Sequence, residues 1–133
     1  MRVYFTLLII CSISLISFGQ SAEEFFYSQG NIKYKHGDYQ GAIQEYNKAI
    51  WINPEYAMAY NKRGLAKGKL EDFNGAIQDH NKALEISPDY QDAWINREFA
   101  MWLLERKKAG NLDWSWAYYI RGNTKIMRIS DKR

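Results

Sequence analysis

The chain has 133 residues, 47% of them hydrophobic and 25% charged, which suits one folded domain and excludes a disordered or collagen-like chain. The 18 Lys and Arg exceed the 15 Asp and Glu by three charges, too few to imply a nucleic-acid footprint by themselves. A single cysteine, Cys11, excludes an internal disulfide, a thiolate zinc site and a CxxC redox pair.

The first element is an address. Met1-Arg2 precedes an uncharged apolar run from Val3 to Ile16, and Ser17-Phe18-Gly19 follows. A short basic start, an apolar run and a small-x-small exit describe a secretory signal peptide over residues 1–19, cleaved after Gly19. The run of about 14 to 16 residues falls short of the roughly 20 that a spanning helix needs. An uncleaved membrane anchor and a buried first helix are the alternatives. Lipidation at Cys11 does not fit, because Ile10 stands where a small residue is needed and the apolar run continues past it. The expected mature domain is residues 20–133, secreted or held in a periplasm or cell envelope. It has no cysteine, so its apolar core alone must stabilise it.

From residue 23 the chain repeats itself. Shifting residues 23–56 by 34 onto 57–90 gives fourteen identities, where unrelated sequences share roughly two. They include Gly30/Gly64, Lys33/Lys67, Asp38/Asp72, Ala42/Ala76, Ala49/Ala83 and Pro54/Pro88. A fixed period of this size marks a stacked repeat. Each unit reads as two helices. The first covers roughly 22–34 and breaks at Gly37-Asp38. The second covers roughly 39–52, with Ile43, Tyr46 and Ile50 at helical spacing and Ala42 and Ala49 on the same side. Asp38 and Asp72 stand where an N-cap is wanted. Asn53-Pro54 and Ser87-Pro88 stop the second helices, because the residue before a proline avoids the α region.

The third unit departs from the pattern. Ala93, Trp94 and Arg97 keep it, but Glu98 stands where Gly30 and Gly64 do, and must be exposed or paired. Gly110-Asn111-Leu112 resembles the Gly37-Asp38-Tyr39 turn but arrives five residues late. The expectation is a longer helix over about 91–107, then a divergent helix from about Asp113. Trp114, Trp116, Tyr118, Tyr119 and Ile120 would form a lid on the open end of the array, and 122–133 a tail.

Phe26, Gly30, Ala42, Tyr46, Ala49 and Pro54 in the first unit, matched by Tyr60, Gly64, Ala76, His80, Ala83 and Pro88 in the second, make this chain resemble the tetratricopeptide repeat. The resemblance covers residues 23–90 well and 91–104 in part. It implies an all-α, right-handed superhelical stack of antiparallel helix pairs. Two good repeats (about 23–56 and 57–90) precede a divergent third (91–121) and its C-terminal capping helix. Gly30, Ala42, Gly64 and Ala76 are the small residues that admit close approach within a pair, with Phe26, Tyr39 and Tyr46 filling the surrounding space. Pro54 and Pro88 punctuate the repeats.

The chemical inventory is thin. His36 reads as a solvated turn residue and His80 as a packing residue in the place of Tyr46. Glu23-Glu24, Glu71-Asp72 and Glu105 read as helix-end and surface carboxylates. No phosphate loop, GxSxG elbow or HExxH occurs. No catalytic residue, metal ligand or cofactor is assigned. Lys107-Lys108 and the tail residues Lys125, Arg128, Lys132 and Arg133 read as solvated surface.

The resemblance implies a concave groove on the first helices that binds peptides or partner proteins. By position its lining is Glu24, Tyr27, Asn31, Tyr34 and Lys35, then Met58, Asn61, Leu65 and Lys69, then Asp92, Ile95, Phe99 and Trp102. Asn31 and Asn61 are expected to bond a partner backbone, and the aromatics to anchor side chains. The stretch 94–104 is apolar nearly all round, which also suits burial under the C-terminal helix. The clamp with which some relatives grip a chaperone's C-terminal carboxylate is not reproduced. Tyr27, Asp92 and Asn96 stand at its basic places and Lys62 at its central Asn; only Asn31 survives. The sequence therefore reads as an exported interaction module or adaptor, with the end helices as the surface through which it would self-associate. The other readings are a truncated repeat protein with a structural or oligomerising role and, weakest for want of any acid-base or nucleophile cluster, an enzyme.

Overall fold

The computed structural model describes residues 21–110, which form five helices: α1 (Ala22–Lys35), α2 (Tyr39–Ile52), α3 (Ala57–Lys69), α4 (Phe73–Ile86) and α5 (Gln91–Ala109). The local signals act as expected. Asp38 and Asp72 cap α2 and α4, each accepting from the backbone N–H three residues on, Gly41 and Gly75, at 2.9 Å. Asn53 and Ser87, each the residue before a proline, are the C-caps of α2 and α4. The α1–α2 turn takes Gly37 into the left-handed region at φ 81°, and its counterpart in the α3–α4 turn is Glu71 at φ 61°. The expected long helix is present: α5 has 19 residues against 13 or 14 in the others, and ends on left-handed Gly110. Its extra length runs past the α3–α4 turn, where the Lys107 ammonium lies 3.0 Å from Glu71 and 5.5 Å from the centre of the Phe73 ring. The signal segment 1–19 and the lid and tail beyond 110 lie outside the described residues.

α1 packs on α2, α2 on α3, α3 on α4 and α4 on α5, while α1 meets α3 and α3 meets α5. The first helices therefore line one side of the stack. Eight of the ten buried apolar residues among the described ones are alanines, and this smallness lets helices lie close. Gly30 and Gly64 mark the tightest approaches. A Cβ at Gly30 would lie 2.5 Å from the Tyr46 ring, and one at Gly64 would lie 2.8 Å from the His80 ring and 3.1 Å from the Ala76 carbonyl oxygen. In repeat one the glycine therefore admits the Tyr46 ring, and in repeat two the His80 ring and the Ala76 backbone. His80 is 1% exposed, as a packing residue should be.

Beneath the apolar contacts runs a repeated ion pair. Lys33 of α1 reaches Glu45 of α2 at 2.7 Å, and 34 residues on Lys67 of α3 reaches Asp79 of α4 at 2.9 Å. In repeat three Arg97 turns to its neighbour Glu98, 2.9 Å away, so the charge at the glycine place is paired. Arg97 and Glu98 border a hollow of about 390 Å³ with Ile77, Asn81, Met101 and Leu104. Moved back by 34, that surface is Arg63, Gly64 and Lys67, which α4 covers. At the opposite end, Phe25 and Ile32 of α1 are 49% and 47% exposed, whereas their counterparts Ala59, Ala66, Ala93 and Ala100 are buried against a preceding helix.

Candidate functional site: the groove on the first helices

The groove is built by α1, α3 and α5, whose first turns carry Glu23, Glu24 and Asp92 and whose last turns carry Lys33, Lys35, Lys67, Lys69 and Arg106. These charges complement the helix dipoles; the acidic rim rests on α1 and α5, since the first turn of α3 carries no acid, and with Lys33 and Lys67 turned to Glu45 and Asp79, Lys35 and Lys69 remain exposed at the basic rim.

Between these rims lies an aromatic wall. Tyr27 is half-buried, with its ring 5.1 Å from Tyr56 and 6.0 Å from Tyr46. Tyr34 is half-buried against Tyr39 at 5.2 Å in an edge-on contact. Burial raises the Tyr27 and Tyr34 hydroxyls above the ordinary phenol value; Asn31 works the other way on Tyr27, and Tyr39 adds to the rise at Tyr34. Burial, then Tyr27, Glu24 and Glu23, push Tyr56 up to about 12. The wall is therefore uncharged at neutral pH and offers ring faces and hydroxyls. On α5, Phe99 and Trp102 stack at 6.1 Å, and the Arg106 guanidinium sits 5.4 Å from the Trp102 ring centre.

The assigned lining residues divide into three groups. Glu24, Lys35, Met58, Lys69 and Asp92 are exposed on α1, α3 and α5. Tyr27, Asn31, Tyr34, Leu65, Ile95, Phe99 and Trp102 are half-buried. Asn61 is 2% exposed and does not reach the groove surface: its amide donates to the Tyr90 hydroxyl at 3.1 Å, and its carbonyl accepts from Asn96 at 3.1 Å. Asn61, expected to bond a partner backbone, here bonds Tyr90 and Asn96 within the stack. Asn31 is partly spent in the same way, accepting the Tyr46 hydroxyl at 2.9 Å. The side chains of 94, 95 and 102–104 are half-buried, and the expected cover of this stretch by the C-terminal helix lies outside the described residues.

Asn96, Gly68 and Leu103 were not assigned to the groove, yet they join Leu65, Lys69 and Phe99 around a cavity of about 180 Å³ between α3 and α5, with His80 in its wall. The alignment of the repeats held the signal, since Gly68 stands under Tyr34 and His80 under Tyr46. Burial pushes the His80 imidazolium down to about 4, against the pull of Asp79, so the ring is neutral at physiological pH. Among the described residues no group of three His, Cys, Asp or Glu could hold a metal ion, and no helix is long and apolar enough to cross a membrane.

Two family models match the chain, one described as TPR repeat over residues 30–71 and one as tetratricopeptide repeat over residues 57–90. The Arabidopsis OM64 TPR domain is 33% identical, with 65% of this chain and 72% of that one covered and a TM-score of 0.62. The TPR2B domain of yeast Sti1, solved as a pHsp70 complex, is 30% identical over 65% of this chain and 70% of that one, also with a TM-score of 0.62. The Sgt2 TPR domain from Aspergillus fumigatus shares the fold over 86% of this chain and 84% of that one, at 18% identity and a TM-score of 0.65. No curated protein matches the sequence. The repeated hairpin, its small-residue contacts and these likenesses agree: the chain belongs to the tetratricopeptide repeat family.

Proposed function

We propose that this chain is an exported, non-catalytic interaction module that holds a peptide or a segment of a partner protein in the groove of α1, α3 and α5. The observation that carries this reading is the uncharged wall of half-buried Tyr27, Tyr34, Leu65 and Phe99 below exposed Lys35 and Lys69. Aromatic anchors inside a polar rim are the composition of binding hot spots. The Sti1 domain, solved as a pHsp70 complex, supports a partner protein as the kind of ligand. Tyr27, Lys62, Asp92 and Asn96 remove the basic clamp, so the ligand here is not expected to be held by its terminal carboxylate. Export rests on residues 1–19, and the expected destination is a periplasm, cell envelope or medium. Intact mass of the protein from fractionated cells tests cleavage after Gly19.

The groove reading is tested by affinity capture from envelope extract with the wild type and a Lys35→Glu, Lys69→Glu variant. Both lysines are exposed, so the variant folds, whereas Tyr27 and Tyr34 pack on the core formed by Ala42, Tyr46 and Ala66. A partner retained by the wild type and lost by the variant supports the groove. Equal retention by both places binding elsewhere. A second reading, end-on assembly with another copy, is favoured by the half-exposed Phe25 and Ile32 on the outer face of α1.

A further inference from the structure

The cavity between α3 and α5 is where the two repeats stop being alike. Its walls include Gly64, Gly68, Ala76, His80, Ala100 and Leu103. Thirty-four residues earlier, Gly64, Ala76 and Ala100 become Gly30, Ala42 and Ala66, while Gly68 becomes Tyr34 and His80 becomes Tyr46. In that earlier copy the space is filled. Ala42, Tyr46 and Ala66 form one buried cluster with Tyr34 packed on it, and the Tyr46 hydroxyl is bonded to Asn31. Removing one ring at Gly68 and shortening another at His80 leaves about 180 Å³. An apolar cavity of about 150 Å³ accepts a benzene ring.

The vacated space also has polar walls. Asn96 and Lys69 line it, and a phenol hydroxyl can accept from the ammonium and bond the carboxamide. Adding a Cβ at Gly68 would meet only the Ala76 methyl, at 3.9 Å, so the opening is not a tight helix contact.

We infer that this cavity is an anchor pocket for a tyrosine side chain presented by a partner peptide, which supplies in trans the phenol that Tyr34 and Tyr46 supply within repeat one. The inference deepens the groove reading and rests on it for the peptide. Exposed Lys69 and half-buried Leu65 and Phe99 on the same walls join the pocket to the groove.

The test is an NMR titration of the full chain with p-cresol, N-acetyltyrosinamide and toluene, following the Gly64 and Gly68 amides and the His80 ring. Saturable shifts with the first two, and at least tenfold weaker ones with toluene, are expected. The variants Gly68→Tyr and Leu103→Trp, which fill the pocket from α3 and from α5, should each abolish them. No saturable shift with p-cresol, or shifts that survive both variants, overturns the pocket. Equal binding of toluene overturns the preference for a phenol, and binding of p-cresol without N-acetyltyrosinamide overturns the peptide as source. A failed titration with envelope capture still lost in the Lys35, Lys69 variant sinks the pocket alone and leaves the groove standing.

Discussion

Arg63 and Asp79 form the strongest polar joint in the stack. The guanidinium donates from Nε and Nη2 to the two carboxylate oxygens at 2.8 and 2.6 Å, while Nη1 donates to Asn47 of the preceding repeat at 2.7 Å. One side chain thus ties α3 to α4 and to α2. The fork of the guanidinium matches a carboxylate in a way that lysine cannot. Lys67 adds a second cation to Asp79, whose side chain is 5% exposed.

Asp79→Ala should be costly because it strands two cations. Breaking a buried pair costs about 3–5 kcal/mol; Arg63 and Lys67 keep 18% and 22% exposure, so roughly 2–3 kcal/mol is expected after screening. Glu45→Ala should cost only about 1 kcal/mol or less, since its partners Lys33 and Lys48 are 37% and 52% exposed. Urea midpoints of the two variants check the order, and equal losses would contradict it.

The acid limb of stability should begin with His80. Its folded value is about 4 against 6.5 unfolded, so the unfolded chain takes up the proton first. The stabilisation is full above 6.5 and is lost as pH falls from 6.5 to 4, by about 3 kcal/mol in all. Glu45 adds a later loss. Its carboxyl is held below the usual range, chiefly by the hydrogen bond from Lys33 and further by Lys48, against the effect of burial. That contribution is present above the unfolded value near 4.5 and disappears as pH falls through the lower folded value. Denaturant melts from pH 8 to 3 should show both windows, and His80→Phe should flatten the upper one.

Two glycines one turn apart on α3 should respond with opposite signs. Gly64→Ala forces a methyl to within 2.8 Å of His80 and 3.1 Å of the Ala76 carbonyl oxygen. Overpacking of this kind costs about 1–3 kcal/mol. Gly68→Ala meets nothing nearer than 3.9 Å and gains about 0.5–1 kcal/mol of helix propensity. Thermal unfolding of the pair decides it; a loss at Gly68 would mean that its surroundings are tighter than the geometry shows.

The legible parts of this fold are those written locally or twice. Asp38 and Pro54 act within a few residues of themselves, and Gly30/Gly64 and Ala42/Ala76 are the same solution stated in both copies. The fate of Asn61 was hidden, because its partners Tyr90 and Asn96 lie 29 and 35 residues away, at the cap of α5 and within it. The ion pairs were half visible. Lys33 and Lys67 match, but Glu45 and Asp79 differ by a methylene and drop out of an identity count. The cavity needed one further fact, that positions 34 and 46 share a single space, which only packing discloses.

The outer face of α1 should be adhesive. Terminal repeats of a stacked array stay soluble by presenting a polar outer face, yet α1 places Phe25 and Ile32 where the interior helices carry buried alanines, and leaves both about half exposed. Association end-on removes that surface from water at about 25 cal/mol per Å² of apolar area, less the cost of ordering. The weight-average sedimentation coefficient should therefore rise across roughly a hundredfold range of protein concentration. Phe25→Lys with Ile32→Lys should hold the chain monomeric, and because exposed substitutions shift stability by only about 0.5 kcal/mol each, its melting temperature should stay near that of the wild type. A wild type that sediments as a monomer throughout removes self-assembly from this face and leaves the groove as the site of association.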